Sequence, residues 1–180
     1  MKSIFIITLL LLALVFSSCE SDQEREVRLE EERKERKEQK IHDKYINNSL
    51  HTGATPYVRY YGENLTCSDY SEIEVNTSNS DVLVTIKENN KVVRHAFIQA
   101  GNSYSFSFPN GTYQVFFYYG KGWNPKKVMK NGALIGGFIT DEVFAKDDPK
   151  SLEYTVLSYD LILQQNGNFS TSPSDAEEAL

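Results

Sequence analysis

Histidine and cysteine are scarce in this chain, three of the first and two of the second among 180 residues. His42, His51 and His95 are widely spaced, and no pair has metal-ligand spacing. His95, within an alternating apolar run, reads as a satisfied strand residue rather than a base. Serines are plentiful, yet there is no Gly-x-Ser-x-Gly and no glycine-rich loop opening a helix, which removes the acyl-transfer elbow and the phosphate cradle. Positive charge is also short: nineteen basic against twenty-five acidic side chains give −6, so an electrostatic footprint for nucleic acid is missing. The long apolar run, residues 4–16, falls short of the roughly 20 helical residues that cross a hydrocarbon core of about 30 Å. Together these absences predict a non-enzymatic chain with no cofactor, no metal and no nucleic-acid partner.

That apolar run follows Lys2 and is closed by Ser17-Ser18-Cys19, the layout of a removable signal over residues 1–18. It resembles the signals cleaved by the lipoprotein signal peptidase, which carry an apolar residue, two small residues and then cysteine. Phe16, Ser17, Ser18 and Cys19 fill those places here. The resemblance implies a bacterial lipoprotein with acyl chains on Cys19, and membrane lipid as its first partner. Two or more chains hold a protein on a membrane where one does so only marginally. Ordinary secretion, leaving Cys19 a plain thiol, is the alternative. Cleavage removes Lys2 and leaves a formal charge of −7. Glu20, Asp22 and Glu24 follow the cysteine, and in the resembled group an acidic patch there marks export to the outer leaflet of the outer membrane.

Residues 22–46 are dominated by Asp, Glu, Lys, Arg and Gln, without Gly or Pro. Glu24 with Arg28, Glu30 with Lys34 and Glu32 with Arg36 stand at i,i+4 with the acid first, which favours a charged helix. Val27, Leu29, Ile41, Tyr45 and Ile46 are too few and irregular for a heptad seam. A solvated helix is expected, with disorder as the alternative; in either state 19–51 serves as a lipid-anchored spacer.

Asn47, Asn48, Ser49, Gly53 and Pro56 mark a boundary, and 52–172 turns to Tyr, Phe, Val, Ile and Thr, residues that suit pleated surfaces. Val82, Val84 and Ile86 alternate toward Asn89-Asn90, beyond which Val93, His95 and Phe97 alternate again. A two-residue turn there pairs Glu88 with Lys91, Ile86 with Val93, Val84 with His95 and Val82 with Phe97. Similarly, Asn110-Gly111 suggests a type I′ turn, with positive φ at Gly111, pairing Phe108 with Tyr113, Phe106 with Val115 and Tyr104 with Phe117. Further strands are expected at 57–61, 72–76, 134–140 and 154–165, and 173–180 reads as a flexible acidic tail. Seven to eight strands with short polar turns predict an all-β fold, an antiparallel β-sandwich or barrel preceded by the charged helix.

Within that domain Asp141, Glu142, Asp147 and Asp148 could offer oxygens to calcium, but the spacing matches no loop motif and Asp-Asp-Pro is ordinary turn chemistry. Cys67 has no internal disulfide partner once Cys19 is acylated; it is either a buried small hydrophobe or a link between two chains. The strongest candidate site is Tyr119 with Lys121, Trp123 and Asn124. The single tryptophan follows Gly120-Lys121-Gly122 and precedes Asn124-Pro125, a setting that reads as a loop. An indole there either stacks on a sugar or anchors a partner, with Tyr119, Lys121 and Asn124 adding polar contacts, or folds back to close the core.

With its Ser-Ser-Cys signal, charged spacer and aromatic β-domain bearing Gly-Lys-Gly-Trp-Asn-Pro, the chain resembles small lipoproteins of Bacteroides-like bacteria. That resemblance implies a place in the bacterial cell envelope, on the outer membrane and facing the periplasm or the outside. The expected function is a non-catalytic binding or structural module recognising a protein or glycan through strand-end loops. An accessory or inhibitory subunit that meets an envelope protein complex through its charged helix is the alternative.

Overall fold

A computed structural model of the chain describes residues 21–64, 71–162 and 171–180. Cys19, Cys67 and the last part of the strand expected at 154–165 lie outside these residues. The chain divides into two compact units, the first ending at Ile41 and the second running from His42 to Leu180.

Helix α1, Asp22–Tyr45, takes up the charged block and buries none of its side chains. Its start is a capping box that the charge pattern alone did not reveal. The Glu24 N–H donates to Ser21 Oγ (3.3 Å), while the Ser21 N–H (2.9 Å) and hydroxyl (3.0 Å) both donate to Glu24 Oε2 and hold its carboxyl below the usual range. Glu32 pairs with Arg36 as expected (3.7 Å), and also with Arg28 in the reverse order (3.4 Å). Acids in the first turn and His42 and Lys44 in the last suit the helix dipole.

The second unit is mostly β. Its strands are β1 (Ser71–Thr77), β2 (Asp81–Glu88), β3 (Lys91–Ile98), β4 (Ser103–Phe108), β5 (Gly111–Met129), β6 (Leu134–Lys146), β7 (Lys150–Leu152), β8 (Val156–Leu161) and β9 (Ser172–Pro173). One sheet has the order β4-β1-β8; the other runs β3-β2-β5-β6-β9, with β7 also paired to β5. Among the described residues neither sheet closes into a barrel. Ile73, Val75, Phe106 and Phe108 of the small sheet share one buried cluster with Val84, Ile86, Val115 and Phe117 of the large one. On its other face the large sheet buries Leu83, Phe97, Phe116, Tyr118, Trp123 and Phe138 beneath Tyr57 and Leu180. Burial on both faces explains why Val82, Leu83, Val84, Thr85 and Ile86 are all enclosed.

Several expectations are corrected. The sheets are not wholly antiparallel, because β1 and β8 pair parallel, Glu72 opposite Val156. The Asn89-Asn90 turn is as expected, both residues at positive φ (49° and 64°) with Glu88 opposite Lys91. A bulge between Ile86 and Lys87 then moves the register by one, setting Val84 against Ala96 and Thr85 against His95. Residues 103–108 and 111–118 form no hairpin: β4 pairs with β1, placing Phe108 opposite Ser71 and Phe106 opposite Ile73, while β5 joins the large sheet. Gly111 is not at positive φ. It is needed for space, because a Cβ there would lie 2.9 Å from the Tyr113 hydroxyl. Residues 58–61 form a short helix, α2 (Val58–Tyr61), rather than a strand, ended by Gly62 at φ 82°. Finally, 173–180 is not a loose tail. Helix α3 (Ala176–Ala179) is capped by Asp175, which accepts from Glu178 N (2.8 Å), and Ala179 and Leu180 are buried.

Candidate functional site

Strand β5 carries the segment singled out in the sequence, and its course is set by Gly120. A Cβ on that residue would lie 2.3 Å from the Phe138 Cβ, so the Phe138 side chain crosses against bare backbone. Tyr119 is opposite Val143 and Lys121 opposite Thr140, which leaves Asp141 and Glu142 together across from Gly120. This is a β-bulge, with Asp141 at φ 56° and Gly122 at φ 72°. Its effect is to change which face each side chain takes. Tyr113, Val115, Phe117 and Tyr119 point between the sheets, whereas Trp123 joins Phe116 and Tyr118 on the other side.

The four residues expected to form one site are therefore dispersed. Trp123 lies in a strand rather than a displayed loop, and it is only 2% exposed. Its indole meets Phe138 edge-on (5.3 Å between centroids), Phe97 (5.6 Å) and Tyr57 (6.3 Å). A Cβ on Gly136 would come within 2.9 Å of the ring. Asn48 clasps the Trp123 backbone from both sides: its carbonyl accepts the Trp123 N–H (2.7 Å), and its side-chain amide donates to the Trp123 carbonyl (2.5 Å). Asn124 is buried and its Oδ1 accepts from Lys126 N (2.9 Å), a turn-holding role. Tyr119 is buried in the other cluster. Lys121 alone is exposed.

Beside the bulge, Tyr118, Glu142 and Lys127 form a closed network. The Tyr118 hydroxyl donates to Glu142 and accepts from Phe138 N (2.9 Å), and the Lys127 ammonium donates to Glu142 and to the Phe138 carbonyl (2.5 Å). Burial pushes the Tyr118 pKa up, helped by the Glu142 carboxylate. These groups are committed to one another and to the fold.

Lys121 opens instead onto a cleft of about 1000 Å³, with Gly120, Gly122, Ile46, Ala100 and Val143 in its lining. Asn47, Ser49, Asn79, Asp81 and Asp141 surround it. Asp81 is held in place: its Oδ2 accepts from Ser49 Oγ (2.7 Å) and its Oδ1 from Ala100 N (2.9 Å). In the sequence Asn47 and Ser49 mark a boundary, Asp141 is weighed only as a calcium ligand, and Asp81 is not singled out. The pairing of Asp81 with Gly120 and the bulge at Asp141 bring them together. Asp147 is used elsewhere, accepting from the Tyr159 hydroxyl (2.9 Å) and pairing with Lys150 (3.6 Å). Among the described residues no group of three or more His, Cys, Asp or Glu side chains could hold a metal ion. No helix of the described residues is long and apolar enough to cross a membrane.

Comparison with protein-family models, curated proteins and solved structures returned no match.

Proposed function

We propose that this chain is a lipid-anchored, non-catalytic binding module of a bacterial envelope. In this reading Cys19 carries the acyl chains and α1 supplies about 36 Å of polar spacer at 1.5 Å per residue. The two-sheet unit is a β-sandwich that presents its cleft to a protein or glycan. The supporting observation is the cleft itself, where amide, hydroxyl, carboxylate and ammonium groups converge beside the β5–β6 bulge and where Lys121 and Asp141 are exposed. Groups of that kind exchange hydrogen bonds with water for hydrogen bonds with hydroxyl- or amide-rich partners, and precisely placed polar groups fix orientation.

The anchor is tested by membrane fractionation of Cys19→Ala. That variant leaves the membrane fraction, and its retention there would end the lipoprotein reading. The cleft is tested by glycan-array binding and cross-linking pulldown with the double variant Lys121→Ala, Asp141→Asn. Asparagine tolerates the positive φ at 141, so stability changes by less than about 1 kcal/mol. Capture by the parent chain and loss of capture by the variant, at equal thermal midpoints, is the expected result. Equal capture by both excludes the cleft, and capture that follows α1 alone would favour an accessory subunit working through its charged helix.

A further inference from the structure

We propose that residues 52–64 form a strap released by acid, with the His95 imidazole as its latch. The strap lies along β3 and is fastened to it by backbone bonds from Gly53 N to the Phe97 carbonyl and from Phe97 N to the Ala54 carbonyl (both 2.8 Å). At its far end the Asn64 side chain grips His95, donating to its carbonyl (3.0 Å) and accepting its N–H (3.1 Å). Between these fastenings Tyr57 is fully buried over the aromatic face, 6.3 Å from the Trp123 ring, with its hydroxyl donating to the Gly136 carbonyl (2.7 Å).

The latch is the Tyr57 N–H, which donates to His95 Nε2 (3.2 Å). That geometry requires a lone pair on Nε2, so the proton of the neutral ring sits on Nδ1. Nδ1 is buried and has no hydrogen-bond partner among the described residues. A second proton, taken from solvent onto Nε2, would turn the acceptor into a donor facing another donor. It would also leave a charged ring 1% exposed, with no carboxylate hydrogen-bonded to it among the described residues.

Of the described groups around the ring, the Thr55 carbonyl alone favours the charged form, and burial outweighs it. Tyr57 stacks on it (6.2 Å) and Tyr61 meets it edge-on (5.4 Å); both are phenols whose pKa burial raises, and both stay neutral in acid. The facing β2 residue is Thr85, whose hydroxyl donates to the Ala179 carbonyl (2.6 Å). From α3 onward, the main-chain oxygen of Leu180 accepts from the Tyr61 hydroxyl.

The direction with pH follows. Burial lowers the His95 pKa to about 4 from an ordinary 6.5, against an opposite pull from the Thr55 carbonyl. Above pH 6.5 the closed strap keeps its full advantage. Below that, the released imidazole binds a proton more readily than the latched one, so the closed-to-open ratio falls by nearly tenfold per pH unit, about 150-fold by pH 4. Release would uncover the Phe97 and Trp123 rings.

The test uses the full-length chain and its single tryptophan as the reporter. Acidification from pH 7 to pH 4 shifts Trp123 emission to the red and raises intrinsic-rate-corrected hydrogen exchange at 52–64, while β2 and β5 amides stay protected. His95→Gln, which can still accept the Tyr57 N–H, holds its blue emission over the same range. Should that variant fail to fold, hydrogen exchange of the parent chain decides alone. A strap still protected at pH 4, or strap and sheets losing protection together, would overturn the proposal.

Discussion

Trp123→Ala is expected to cost about 3–5 kcal/mol, the range for deleting a large enclosed aromatic. The indole sits among Phe97, Phe138 and Tyr57, and Asn48 fixes its backbone on both sides. The walls cannot readily close in, because β5 and β6 are held in register on either side of the bulge. A cavity therefore persists in place of the lost contacts. Chemical denaturation followed by circular dichroism gives the measurement, since the variant has no tryptophan to report. A loss under about 1 kcal/mol would mean that the ring is dispensable to the core, and surface recognition would again be its natural role.

Gly120→Ala should cost about as much through the opposite defect. Gly120 is not at positive φ, so the penalty is not conformational. The added Cβ would stand 2.3 Å from Phe138 Cβ and 2.4 Å from its Cγ, distances at which something must move. Both partners are tied into adjacent strands, and relief requires β5 and β6 to separate. A loss of about 3 kcal/mol, the upper end for overpacking, is expected in thermal or denaturant unfolding. Shrinking the partner supplies the check. In the double variant with Phe138→Gly the two losses fall short of additive by at least about 1 kcal/mol, because the clash begins at the Phe138 Cβ and disappears only with the whole side chain. Strict additivity would show that contact between these two residues is not the cause.

Both effects arise where the sequence was hardest to read. The Gly-Lys-Gly-Trp-Asn-Pro segment has the composition of a loop, and nothing local reveals that Gly120 is bare because Phe138 crosses it. The bulge at Asp141 and Glu142 inverts the alternation of β5, so Tyr119 and Trp123, which share parity, end on opposite faces. Alternation read without the bulge joins residues that the fold separates. A similar ambiguity misled the reading of 103–118. Two alternating aromatic runs around Asn-Gly satisfy a hairpin, but they equally satisfy a crossing between layers, and Phe108 still packs on Tyr113 at 4.5 Å in the second arrangement.

Other features were legible because their physics is local. The charge spacing of α1 and the left-handed tolerance of Asn89 and Asn90 each act within a few residues. The mostly β character followed from composition and period. The cleft was not legible as a unit, since its lining comes from five separate stretches of chain that the fold brings together. Helix α3 was missed because one turn is too short to show periodicity, and the burial of Leu180 depends on a sheet assembled far upstream.

The parallel pairing of β1 with β8 bears on how the chain acquires its shape. Antiparallel neighbours such as β2 and β3 meet across a tight turn, so they can zip as soon as both have emerged from a ribosome or a translocation channel. Strand β1 emerges among the earliest, yet its Glu72 waits for Val156, a closure whose entropy must be met before any contact rewards it. The small sheet thus stays incomplete until β8 arrives. Until then one side of its central strand is open to the strands of other chains, and crowding in the compartment where it folds sets how long that exposure is safe.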